Sequence, residues 1–332
     1  MINLRYHIVS ITAVFLALGI GIATGSTFLG KATIDQIEKN IDNAEREVRT
    51  TRAENDRLRD EVGRLDERGT DLTEQATGRM FDGRLEDVPV VVISAPGVDE
   101  DSFNALTGAL EGSAAGFEGS LTATDKLTLS EGDARDLSDI LDTTIVDPAA
   151  LRRILVSRLA DVLLDAARRP PATASTTSST SAVVGEGRNL LQGLIDGGFL
   201  DYTPAPGGGA SAQDLLTEQG YRYVVVSGPE PDLPDTAFLR PLLRALSSDR
   251  PAPVVVASAA TGGDAEKVRG AVVSPLLEDD TLAGRISTVD DLEQFSGVAA
   301  VVLALEDLAE GRRGHYGVGD GASSLLPASP GD

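Results

Sequence analysis

The chain has 332 residues, no cysteine, and 52 Asp and Glu against 29 Lys and Arg, for a net charge of −23 at pH 7. Such a charge excludes a nucleic-acid-binding role, because phosphates demand a basic footprint. The missing thiols exclude disulfides, thiolate metal sites and cysteine nucleophiles together, and the length suits about two folded parts plus an anchor.

Ile8 to Leu29 carries no charged residue and is long enough to cross a bilayer, which takes about 20 apolar residues. A cleaved signal peptide competes with this reading, but its apolar core usually runs only about 7–15 residues. Here the run is longer, and Ile22-Ala23-Thr24 is a poor small-x-small cleavage site, so the expectation is an uncleaved, single-pass membrane anchor. Ala17, Gly21 and Gly25 lie four apart on one face, the spacing that lets two membrane helices approach closely. Arg5 precedes the span while Lys31 and Lys39 follow it, so the basic-residue count does not choose an orientation. A seven-residue tail resembling a signal-anchor n-region and a Ser/Thr/Pro tract further on favour an extracytoplasmic C-terminal domain.

Behind the span, steps of three and four alternate through Ile34, Ile37, Ile41, Ala44, Val48, Thr51, Asn55, Leu58, Val62 and Leu65. That heptad repeat predicts a coiled coil, with β-branched residues at a, Leu at d in its second half, and Asn55 at an a position to fix register and dimeric state. Across a parallel pair Glu47 meets Arg52 and Glu54 meets Arg59, both attractive, whereas Glu61 meets Asp66 and Gly69 occupies an a position, so pairing weakens there. A lone amphipathic helix folded onto its own domain would recruit apolar e or g residues, and those sites are Asn, Glu, Arg and Asp. An anchor on every copy forces the coil to be parallel. The expectation is a parallel homodimer with a stalk about 65 Å long at ~1.5 Å per residue.

The remainder reads as α/β. After a short break at Gly78 to Asp87, three β-branched runs, Val88–Ile93, Tyr223–Val226 and Val254–Val256, each precede a helical stretch, near Ser102–Leu110, Thr236–Leu246 and Asp264–Arg269. Runs apolar on both faces predict buried parallel strands flanked by helices. Between the first two lie a strand near Gly119–Ala123, helices near Glu131–Leu141, Ala149–Ala167 and Leu190–Ile195, and a loop at Pro204–Ala212. A further strand is expected at Arg285–Val289 and a last helix at Gly297–Ala309. The predicted organisation is an anchor at 1–30, a stalk at 31–80, an α/β domain at 85–317 with a disordered linker at 169–182, and a disordered tail at 318–332.

Candidate chemistry is thin. Ser94, Ser227 and Ser258 end the three strongest strands, with Gly97 and Gly228 beside them, at the carboxyl edge where open parallel sheets bind ligands. The competing reading is that Ser, Gly and Pro turn the chain out of the strand. No phosphate-cradling glycine pattern follows, since Ala95-Pro96-Gly97-Val98 is neither GxGxxG nor a P-loop. No Ser-His-Asp set can be built from His7 at the span and His315 near the tail, so the chain reads as non-enzymatic with no cofactor.

Ile2-Asn3-Leu4-Arg5-Tyr6-His7-Ile8-Val9-Ser10, the glycine-rich span, the charged coil, the Val-rich strand into Ala95-Pro96-Gly97 and the late Gly314-His315-Tyr316-Gly317 together resemble the actinobacterial copper transport protein B family, MctB-like. The resemblance runs from Met1 to about Gly317. It implies an envelope protein tied to copper efflux or homeostasis, with some relatives linked to envelope assembly and septation. The residues themselves favour a non-enzymatic scaffold whose anchored coiled-coil stalk holds the acidic α/β domain away from the membrane for an envelope protein partner. The residues argue separately. Soft Cu(I) sites need thiolate or thioether ligands and Cu(II) sites mostly imidazole, yet Met occurs only at 1 and 80 and His only at 7 and 315. His315 is expected as a turn residue with no metal to hold.

Overall fold

The computed structural model describes residues 4–169, 177–206, 211–228, 233–258, 272–319 and 321–328, and leaves the side chains of 4–5, 26–40, 42, 45, 62–80 and 177–186 undescribed. The chain divides into two compact units, Met1–Gly69 and Thr70–Asp332.

The described part of the first unit lies within helix α1, which runs as Leu4–Met80 without interruption past the expected domain limit at 30. Its apolar stretch Tyr6–Gly25 has a mean hydropathy of 2.2 and none of it is buried. That stretch is long and apolar enough to span a bilayer. Within it Thr12 and Thr24 turn their hydroxyls back onto Ile8 and Ile20 carbonyls at 2.8 and 2.5 Å, which satisfies them without water.

In the second unit, β1 (Pro89–Ser94) leads into α2 (Glu100–Gly112), capped by the Asp99 carboxylate on Ser102 N. Then follow β2 (Gly116–Ala123), a 3₁₀ turn, α3 (Glu131–Ile140) and α4 (Pro148–Arg168). Next come α5 (Thr177–Asp196), β3 (Leu200–Pro204), β4 (Arg222–Ser227), α6 (Leu239–Leu246) and β5 (Val254–Ser258). The series closes with α7 (Val273–Leu277), α8 (Asp280–Ala283), β6 (Ser287–Val289), α9 (Phe295–Ala309) and β7 (His315–Tyr316). The sheet order is β3-β2-β1-β4-β5-β6-β7, parallel except for the antiparallel edge strand β3. Order reverses at β1 and β4, the arrangement of a doubly wound sheet.

Alternation along the central strands sends Val91, Ile93, Tyr223, Val225, Val254 and Val256 to one face, under α3 to α7. Val90, Val92, Val224, Val226 and Val255 point to the other, under α2 and α9. The β1–β2 crossover through α2 and the β4–β5–β6 crossovers through α6 to α8 share one hand, because both direction and face reverse together. The β6–β7 crossover through α9 keeps the direction and changes the face, so its hand is opposite. Its benefit is coverage: α9 closes the β5 and β6 face that α6 to α8 leave bare.

Several expectations change here. The expected break before the first strand is present as turns between Met80 and Pro89, but it is packed: Phe81 and Leu85 are fully buried, Phe81 lies 6.1 Å from Phe295, and Arg84 pairs with Glu306 at 2.8 Å. The Ser/Thr part of the expected linker is helical from Thr177 onward, while 170–176 and the expected helix at 264–269 lie outside the described residues. The tail is not a free coil from 318. Val318 N donates to Asp290 Oδ1 at 2.9 Å, Gly317 N to the Ser324 carbonyl at 3.0 Å, and Leu326 packs against the core.

Candidate functional site

The five carboxyl-edge candidates are all accounted for by the chain's own contacts, save one hydroxyl. Ser94 Oγ lies 2.9 Å from Thr122 Oγ1 on the neighbouring strand. Ser227 Oγ donates within the Asp235 carboxylate, at 2.8 and 2.9 Å from its two oxygens, and both residues are buried. Burial pushes the Asp235 carboxyl above its ordinary value, while the Ser227 hydroxyl and the Arg240 charge pull it back. Ser258 is the register partner of Ser227 on β5 and fully buried, and its hydroxyl has no hydrogen-bond partner among the described residues.

Gly97 and Gly228 close the gap between β1 and β4, where a doubly wound sheet opens its ligand crevice. Gly97 adopts φ +87°, a left-handed conformation suited to glycine. A Cβ at Gly228 would sit 2.5 Å from the Gly97 carbonyl oxygen. The two glycines serve each other: the backbones of the two strand-end turns approach so closely that a side chain at Gly228 would collide with the Gly97 carbonyl.

Reading the strands in sequence missed the acids of this edge. Asp290 ends β6 and accepts from Val318 N and Gly319 N, and Asp291 takes the Ser296 hydroxyl at 2.7 Å at the start of α9. The Asp290-Asp291 doublet directly after a β-branched run was the available signal. At the opposite edge, Glu118 on β2 accepts from Leu216 N at 3.4 Å and from the Tyr221 hydroxyl, while Tyr221 stacks on Tyr223 with centroids 6.3 Å apart. Burial is the main cause that raises the Glu118 carboxyl, and Tyr221 is raised with it. One charged residue inside an otherwise buried strand marks such a group.

His315 is not a turn residue. It lies on β7 with Nδ1 3.0 Å from Thr288 Oγ1, and burial lowers its imidazole below the ordinary value. Among the described residues no group of three or more His, Asp or Glu is arranged to hold a metal ion.

Of the residues expected to pair between chains, Ile41, Val48 and Leu58 are 52, 48 and 56 % exposed, and Asn55 is exposed. Ala17 and Gly21 are exposed and Gly25 is half-buried, whereas the side chains of Ile34, Ile37, Val62 and Leu65 lie outside the described residues.

Comparison with known proteins decides the family. The model described as "Copper transport outer membrane protein, MctB" matches residues 1–327. The chain belongs to the MctB family. It is 28% identical over 336 residues to the copper transporter MctB of Mycobacterium tuberculosis and to that of Mycobacterium bovis, covering 98% of this chain and 99% of each relative. The copper transporter MctB of Mycobacterium leprae is 28% identical over 332 residues, with the same coverage. Membership and one apolar N-terminal helix fit a membrane protein.

Proposed function

We propose that this MctB-family chain serves copper homeostasis as a single-pass, parallel dimeric envelope protein, and that it acts through a protein partner rather than through a copper site of its own. Family membership over 1–327 supports the copper setting. The carrying observation for the indirect role is the ligand inventory: two Met, two His and no Cys in 332 residues, too few soft donors to converge on copper. His7 lies on α1 and His315 on β7. The dimer reading rests on the apolar a and d positions of α1, of which Ile41, Val48 and Leu58 stand in water in the single chain.

A non-enzymatic scaffold that presents the α/β domain to a cell-envelope or septation partner is the second reading, favoured by strand-end hydroxyls of Ser94 and Ser227 that the chain's own Thr122 and Asp235 engage. Complementation separates the two. In a copper-sensitive strain lacking the protein, His315→Ala should restore resistance as wild type does, and Ile41→Asp with Val48→Asp should not. Failure of His315→Ala alone would overturn the indirect role; restored division without restored copper resistance would favour the scaffold.

A further inference from the structure

The corner between α3 and α4 combines two exposed apolar side chains with aspartates that form no ion pair among the described residues. Ile145 and Val146 stand 40 and 56 % exposed in a loop. Asp136, Asp139, Asp142 and Asp147, all exposed, surround them in sequence, and none forms an ion pair among the described residues. Two of the nearby cations are engaged elsewhere: Arg135 pairs with Glu131, and Arg152 donates to the carbonyls of Leu127 and Thr128.

The loop is also held in one shape. The buried Ser138 hydroxyl donates to the Thr143 carbonyl at 2.6 Å, and Thr143 N returns to the Ser138 carbonyl at 3.0 Å. Asp142 is fixed at φ +45°, Ile145 N donates to Thr143 Oγ1 at 3.3 Å, and Asp147 caps α4 through Ala150 N at 2.8 Å. Two β-branched side chains are thus presented in a preset geometry, so little ordering entropy remains to oppose binding.

We propose that this corner docks a basic, amphipathic segment of a partner protein, whose apolar stripe covers Ile145 and Val146 while its cations meet the aspartates. Charge chooses the occupant. Residues 81–332 hold 39 of the 52 acidic residues and 18 of the 29 basic ones, so a second copy or an anionic lipid surface is repelled, whereas a cationic partner is steered in. The proposal rests on the partner-dependent reading above.

The probe is a fluorescent 14-residue Leu/Lys peptide with helical amphipathic spacing, titrated by anisotropy into the full chain in uncharged detergent at ~0.15 M salt, where exposed charges are screened beyond about 8 Å. Its scrambled isomer sets the background from charge and detergent alone. Ile145→Ser with Val146→Ser should weaken peptide binding at least tenfold at unchanged melting temperature, and Asp139→Asn with Asp142→Asn should weaken it and flatten its salt dependence. Equal binding by wild type and both variants, or no preference over the scrambled peptide, overturns the corner and leaves the copper reading intact. Concentration-dependent self-association lost in the Ile145→Ser, Val146→Ser chain also overturns it, in favour of a second copy. Tight direct copper binding would instead remove the partner-dependent reading and leave the peptide result standing.

Discussion

Glu118 shows what one buried carboxyl does to this fold. Its two donors, Tyr221 Oη and Leu216 N, suit the ionised form, but burial outweighs them and the charges of Glu218 and Asp214 add to it. The native value therefore lies above 4.5, the folded chain holds the proton more tightly than the unfolded one, and stability falls as pH rises from 4.5 through the native value. Above that window the penalty is constant. Glu118→Gln should then raise the melting temperature at pH 7.5, should gain nothing at pH 4, and should remove the pH slope between, as followed by calorimetry. The same contact holds Leu216 at φ +59° from one side while Arg169 grips its carbonyl at 3.2 Å from the other. At the opposite edge Gly228→Ala places a methyl against the Gly97 carbonyl. Backbone cannot yield as a side chain does, so a loss of roughly 1–3 kcal/mol is expected in denaturant melts.

At the scale of elements, α1 carries its own test. The a-position Asn55 is exposed in the single chain, and in a parallel pair it trades stability for register. Asn55→Leu should raise the melting temperature of the dimer and broaden its oligomer state by sedimentation; a full chain that stays monomeric at high micromolar concentration would remove the coil. The strands Val88–Ile93, Tyr223–Val226 and Val254–Val256 were legible because burial on both faces writes a continuous apolar run. Strand β3 was not, because Leu-Asp-Tyr-Thr-Pro is short, half exposed and at an edge. The Thr-Ser-Ser-Thr start of α5 has the composition of a linker, and its helix continues into Leu191 and Leu194, which are buried in the core. Strand ends gave the positions of Ser94, Ser227 and Ser258, but not Asp235, which arrives from the turn before α6. Pairwise closeness such as Gly97 against Gly228 is a tertiary fact with no local signature.

For the whole molecule the question is whether copper meets this chain directly. A selective copper site needs soft or imidazole donors that converge on the ion. His315 is committed to Thr288 across the β6–β7 pair, and its lowered value keeps it neutral at pH 7; a neutral imidazole is a competent ligand, so geometry and company decide, not charge. Its neighbours along the chain are Arg313, Gly314, Tyr316 and Gly317, none of them a soft donor. Two copies joined through α1 would add a second His315, giving two imidazoles at most. The acidic surface offers carboxylates, which take Cu(II) weakly and without preference over other divalent ions. Calorimetry on the full chain in detergent should therefore show no Cu(I) or Cu(II) binding tighter than about micromolar, a free energy near −8 kcal/mol, and His315→Ala should leave the isotherm unchanged. A saturable nanomolar site that His315→Ala abolishes would make the imidazole on β7 the centre of the protein's chemistry, with Thr288 as the group that orients it.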